Sequence, residues 1–436
     1  MESNLERLSA LTAALRSGSL TLEAYLSQLE LRFRRQEGDI RAFLPEAGRF
    51  ERLRLEARTL CAQYPNPEKR PPLFGIPVGV KDIFHADGFL TRGGSQLPAR
   101  ELQGEEAASV TRLRKAGALI LGKTVSTEFA YFAPGPTRNP INLAHTPGGS
   151  SSGSAAAVAA HLCPLTLGTQ TIGSVCRPAA FCGVVGFKPS YDRIPRAGVL
   201  ELAASFDHVG TFTQDVEGAE LAAAALCNSW RSQPAGSPSP RGILGIPEGP
   251  YLHRAGSEAL EHFRGLCRRL EAAGWKIAPI NLFNDIDEIE ERHGLVLAAE
   301  AAAFHKRWYP KHRDLYHSRT VDLLERGLRI HSAQLTRARE ECAHLCQQLL
   351  QSMEARGIDL WITPAAPGPA PLGLSNTGSP IMNLPFSQAG LPSVSLPTGR
   401  AANGLPLGTQ LVARFGADEQ LLHWARELER EFRLVS

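Results

Sequence analysis

A chain of 436 residues suffices for one large α/β domain or two to three ordinary ones, and 43% hydrophobic with 21% charged residues is the balance of a globular enzyme, not of a disordered or fibrous polypeptide. The 47 basic and 44 acidic residues leave a formal charge of +3, too small an excess for a nucleic-acid-binding surface. No apolar run reaches the roughly 18 residues that span a bilayer, the N-terminal stretch has no signal-peptide core, and the eight scattered cysteines read as reduced thiols, so a soluble cytoplasmic protein without a membrane partner is expected.

In chain order, residues 4–35 carry apolar side chains at helical spacing (Leu5, Leu8, Leu11, Leu15, Leu22, Tyr25, Leu29), with a break at Gly18 that makes two helices. Thr21 caps the second, and Glu23 in its first turn suits the helix dipole. Residues 61–72 form a proline-rich connector, after which 73–82 reads as a buried apolar strand ending in charge. A helix at 107–115, a strand at 118–124, a small-residue helix at 154–161 and an apolar strand at 163–168 follow. This alternation is that of an α/β sheet with helices on both faces. A proline- and serine-rich segment at 232–240 precedes an amphipathic helix at 257–273 and a strand at 275–280. Residues 286–356 are helical in pattern almost throughout. Short strands at 360–363, 393–396 and 408–412 and a helix from Asp418 complete the chain. Strands on both sides of 232–240 point to one interrupted sheet. The expected organisation is therefore one domain over 1–436, with N-terminal helices at 1–70, a core at 71–231, a mostly helical insertion at 241–356 and the rest of the sheet at 357–436.

Three segments carry chemistry. The run Gly148-Gly149-Ser150-Ser151-Ser152-Gly153-Ser154 has the composition of a flexible linker. It is short, however, lies inside the α/β pattern and leads straight into a helix. Without a Walker lysine or a GxGxxG spacing it is not a phosphate loop either. In Thr171-Ile172-Gly173-Ser174, the glycine lets the backbone turn tightly and present consecutive N–H groups around a hydroxyl, as a nucleophile with its own oxyanion site requires. Lys81 ends the apolar strand. A lysine stem leaving a buried sheet edge loses proton affinity, which is how a lysine becomes a general base.

Together, Gly79-Val80-Lys81-Asp82, the 148–154 run and Thr171-Ile172-Gly173-Ser174-Val175-Cys176-Arg177-Pro178-Ala179 closely resemble the amidase-signature family of serine amidases. Flanking pieces agree: Gly122-Lys123-Thr124 with Glu128-Phe129-Ala130, Gly186-Phe187-Lys188-Pro189, Ser205-Phe206-Asp207 and Gly404-Leu405-Pro406-Leu407-Gly408. The resemblance implies the amidase-signature fold, a central twisted mixed β-sheet flanked by helices on both faces. It implies Ser174 as nucleophile, Ser150 after a cis Gly149–Ser150 bond as bridge, and neutral Lys81 as base. Backbone N–H groups of Thr171, Ile172, Gly173 and Ser174 would form the oxyanion hole, and neither metal nor cofactor is needed. The sequence departs from the commoner pattern at Ser152, Gln170, Ile172 and Arg177. Arg177 is assigned to support of the site with Asp207, an ordinary surface ion pair being the alternative.

Glu128, Tyr131 and Phe132 are candidates for the acyl pocket, although aromatics at such spacing also build cores. Cys342 and Cys346 lie on a long helical stretch with His344 on another face, a poor zinc arrangement. Three functions follow from the resemblance. The leading one is a stand-alone hydrolase of an amide, carbamate or urea, its partners a small-molecule substrate and water, with a homodimer as an allowed assembly. The second is the glutaminase component of a tRNA-dependent amidotransferase. Such glutaminases carry an Asp that holds the glutamine amino group, where this chain reads Pro380-Ile381-Met382-Asn383-Leu384-Pro385. The third is a catalytically inactive binding protein, which the presence of Lys81, Ser150 and Ser174 opposes.

Overall fold

A computed structural model describes residues 7–232 and 242–433. The helix Leu8–Ser17 ends at Gly18 in the left-handed region (φ 81°), and Thr21 Oγ1 accepts from Ala24 N at 3.2 Å to open the next helix, Leu22–Ile40. A further helix, Arg49–Gln63, gives little apolar signal because it buries only Arg49, Phe50, Leu53 and Ala57. It takes up the first residues of the expected connector, and Arg52 ties it to the sheet by donating to the carbonyls of Ile120 and Leu121.

Among the described residues, ten strands form one mixed sheet: β1 Pro77–Lys81, β2 Leu119–Thr124, β3 Leu165–Gln170, β4 Val185–Lys188, β5 His208–Thr213, β6 Ile243–Glu248, β7 Lys276–Asn281, β8 Leu360–Pro364, β9 Ser393–Arg400 and β10 Pro406–Val412. Their order is β2-β1-β3-β5-β4-β9-β10-β8-β6-β7, with helices flanking the sheet. The pairs at both margins (β2-β1-β3 and β8-β6-β7) are parallel and those between are antiparallel. Strands from before and after the serine- and proline-rich segment thus share the sheet; that segment lies, apart from residue 232, outside the described residues. β4 and β5 escape a pattern search because buried strands without a solvent face show no alternation. The 286–356 stretch resolves into four α-helices, Ile286–His305, Tyr309–His312, Ser318–Gly327 and Ser332–Arg356, and a short 3-10 turn at Arg313–Leu315. No helix among the described residues is long and apolar enough to cross a membrane.

Two features of this sheet position the site. β1 and β3 run parallel in direct contact (Val78 opposite Leu165, Val80 opposite Leu167), so their C-terminal ends open on the same side. The helix Ser152–Ala159 starts from the glycine-serine run and is pressed into the backbone beside it. Gly153 N donates to Val125 O at 2.9 Å, and a Cβ at Gly153 would stand 2.1 Å from the Ala42 carbonyl oxygen. Only glycine tolerates that approach. Gly153→Ala is therefore expected to destabilise the protein by at least about 1–3 kcal/mol, read as a lower urea midpoint at unchanged m-value.

Candidate active site

Lys81 leaves the end of β1 fully buried. Its Nζ lies 2.7 Å from Ser150 Oγ and 2.8 Å from Thr169 Oγ1, and no carboxylate among the described residues pairs with it directly. Burial pushes its pKa well below the ordinary lysine value, opposed only by the negative charge of Asp207. Ser150 is placed by the cis Gly149–Ser150 peptide at the head of the glycine-serine run. Thr169, on β3, carries no motif of its own. The β1–β3 register brings it to the amine.

Ser174 sits in the turn between β3 and the helix Cys176–Cys182. Gln170 shapes that turn, its Oε1 accepting from Val175 N at 2.8 Å and Cys176 N at 2.9 Å. Ser387 Oγ donates to Ile172 O at 2.6 Å from the far side of the sequence. A Cβ at Gly173 would meet Asn383 Oδ1 at 2.4 Å, so this glycine is needed for close packing beneath the turn. Among the described residues, no hydrogen bond takes up the N–H groups of Ile172, Gly173 or Ser174, and the Ser174 hydroxyl makes none. The Lys81–Ser150 contact is closed in this structure, whereas Ser150 and Ser174 are not hydrogen-bonded.

Two expectations need correction. Arg177 and Asp207 do not pair. Arg177 Nη2 donates to Gly149 O at 2.6 Å and Thr377 Oγ1 at 3.2 Å, thereby holding the peptide before Ser150. Asp207 instead accepts from Thr171 Oγ1 at 2.5 Å, Leu202 N at 2.8 Å and Ala203 N at 3.1 Å, and burial raises its pKa to about 6. Nor does Glu128 face the pocket: its carboxylate accepts from His317 N and Thr320 Oγ1 at the start of the helix Ser318–Gly327. That helix belongs to a segment remote in sequence, so nothing near Glu128 in the chain announces the partner.

Tyr131 and Phe132 do line the slot around Ser174, with Thr171, Ile172, Arg177 and Pro380. The slot opens into an outer cavity of about 540 Å³, sharing Tyr131, Phe132, Ile172 and Pro380 with it. Arg177 is 2% exposed and its Nε and Nη1 lack partners. Burial lowers its pKa to about 9, which leaves it cationic at neutral pH. Among the described residues no group of three or more His, Cys, Asp or Glu is arranged to hold a metal ion. Cys176, beside the turn, is a buried thiol pushed up to about 12.

The amidase family model matches residues 47–422. The chain belongs to the amidase-signature family. It is an enzyme of the C–N hydrolase class. One component of the glutamyl-tRNA(Gln) amidotransferase of Geobacter metallireducens is 33% identical, over 82% of this chain and 84% of the relative. The crystal structure of an amidase superposes with a TM-score of 0.88 at 32% identity, covering 97% of this chain and 99% of its own. A structure from work on the origins of an s-triazine catabolic enzyme gives 0.86 at 28% identity, with 98% of each chain covered.

Glu128→Ala is expected to cost about 1–3 kcal/mol of stability by stranding its donors, measured by urea unfolding, without changing selectivity among amide substrates.

Proposed function

We propose that the protein is a stand-alone amidase that hydrolyses a small amide carrying an anionic group, with Ser174 as nucleophile and Lys81–Ser150 as its proton relay. The observation that carries this reading is the buried Lys81 amine, hydrogen-bonded to Ser150 and held short of protons by its surroundings, at the foot of the Ser174 turn. A surface lysine is charged at neutral pH and accepts nothing, whereas this one is poised as a base. On substrate binding the Ser174 hydroxyl closes onto Ser150, since catalytic hydrogen bonds often tighten only in the substrate complex. Ser174 Oγ attacks the carbonyl while its proton passes to Ser150 Oγ and the Ser150 proton passes to Lys81 Nζ. The oxyanion meets backbone N–H groups of the turn formed by Thr171, Ile172, Gly173 and Ser174, each such donor being worth roughly 2.7–4 kcal/mol of barrier. The relay then runs backwards to protonate the leaving amine, and water hydrolyses the acyl-enzyme by the same path.

The anionic group follows from Arg177. A buried guanidinium with two unpartnered donors lining the slot is complementary to a carboxylate. A second reading, the glutaminase component of an amidotransferase, is favoured by the names of the curated relatives. Against it, no carboxylate lines the slot among the described residues to hold the α-ammonium of glutamine, and the stretch 380–385, where such glutaminases carry an acid, has none.

Ammonia release from a monoamide of a short dicarboxylic acid, from its neutral methyl ester and from glutamine decides between the readings. The acid amide should be the best of the three by at least about tenfold, Arg177→Met should erase its advantage over the neutral methyl ester beyond any loss common to both, and folded Ser174→Ala should be inactive. Glutamine as the best substrate would make the second reading the right one.

The pH profile tests the base. Lys81 acts only when neutral, so kcat/KM should fall as pH drops through its lowered pKa. Asp207→Asn removes the charge that favours the ammonium and should move this acid limb to lower pH. A limb unmoved in Asp207→Asn would contradict a lysine base at this position.

A further inference from the structure

The slot around Ser174 continues past Tyr131, Phe132, Ile172 and Pro380 into the outer cavity of about 540 Å³, the size of a small-molecule site. The proposed relay uses none of that space. The body of the cavity is apolar: the half-buried Leu295 and Ile330 and the buried Leu297 and Leu384 join the four shared residues. The Tyr131 and Phe132 rings meet edge to face, with centroids 4.7 Å apart. Their segment is fastened from the helix Ser318–Gly327, where Arg319 Nη1 donates to Phe132 O at 2.7 Å and Nη2 to Ser375 O at 3.1 Å. This wall is therefore in place before any ligand arrives.

The polar residues of the cavity do not call for a polar ligand. Glu290, Glu291 and Arg326 carry both signs and are exposed to solvent, which screens them. Glu290 is already paired with Arg254 at 3.0 Å, and Arg326 with the Tyr131 hydroxyl. The His293 ring lies flat on Phe206, centroids 4.1 Å apart, and its buried nitrogens have Gln388 as their neighbour. An apolar group entering this space is removed from water together with the aliphatic and aromatic walls. A hydrogen-bonding group would give up its water for no partner.

Which part of the substrate reaches the cavity follows from Arg177. It lines the slot and not the cavity, so an anionic acyl part that meets it stays in the slot. The substituent on the scissile nitrogen is then the part that faces the opening.

We propose that the outer cavity is the leaving-group subsite and takes an apolar substituent on the amide nitrogen. The substrate is thus a secondary amide, and the net addition of water gives the acid and an apolar primary amine in place of ammonia. This rests on the reading of the Ser174 slot as the place of hydrolysis, with the acyl part at Arg177.

The test compares three monoamides of one short dicarboxylic acid: unsubstituted, N-pentyl and N-(2-ethoxyethyl), the last two equal in length. Calorimetry on full-length Ser174→Ala protein reads their binding without turnover. The N-pentyl amide should bind at least about fivefold more tightly than the ether, since its chain gives up no hydrogen bond to water. Leu295→Asn and Ile330→Asn, both at half-buried positions, should each shrink that preference while leaving affinity for the unsubstituted amide within about twofold. Either variant suffices if the other does not fold. No preference in the Ser174→Ala protein overturns the proposal, as does a preference undiminished in the folded variants. Failure of the parent reading shows separately, as wild-type protein that a fluorophosphonate does not label at Ser174 while the N-pentyl preference persists.

Discussion

The site depends on a lysine amine placed in the sheet interior with hydroxyls as its only direct partners among the described residues. A paired lysine would stay an ammonium and hold its proton; one open to water would do the same. Here β1 carries Lys81 into the core, and the neighbouring parallel strand supplies Thr169 on one side while the glycine-serine run supplies Ser150 on the other. The lysine on the next strand makes the contrast plain. Lys123, also buried, lies 3.1 Å from Asp82 and donates to Phe84 O, the arrangement of a structural ion pair.

Around that amine, each supporting side chain is committed to fixing backbone. Arg177 holds the Gly149 carbonyl, Gln170 shapes the turn of Ser174, and Asp207 gathers the Thr171 side chain and two N–H groups of the 202–203 loop. Asp207 thereby has two effects, steadying the turn and placing a negative charge that opposes the loss of the Lys81 proton. The C-terminal part of the chain completes the frame through Thr377 and Ser387. A mixed sheet makes this closure possible: β9 lies beside β4, so residues around 377–390 come to lie against the turn after β3. Precise placement of reacting groups is worth many kcal/mol of barrier, and on the proposed mechanism this frame provides it.

Arg177 also belongs to the wall of the space that a substrate would enter. The slot around Ser174 combines aromatic walls with the Arg177 guanidinium, while the outer cavity takes charged groups from the helices Ile286–His305 (Glu290, Glu291) and Ser318–Gly327 (Arg326). On the proposed mechanism, a relay held on the sheet and a cavity wall held on separate helices can vary independently.

What the sequence determined by itself is the part in which local residue order dictates local shape. Gly173 before Ser174, the small residues after Ser150 and an apolar strand ending in Lys81 each announce their own conformation, and the strongest helices do the same through their periodicity. Tertiary structure alone decided which polar groups meet. Arg177 reads in sequence as a partner for Asp207 but reaches Gly149 and, 200 positions away, Thr377. Glu128 reads as a pocket acid but is consumed by a helix start 189 residues further on. A buried polar side chain takes whichever partner the packing of distant elements brings within about 3 Å, and no periodicity along the chain encodes that choice.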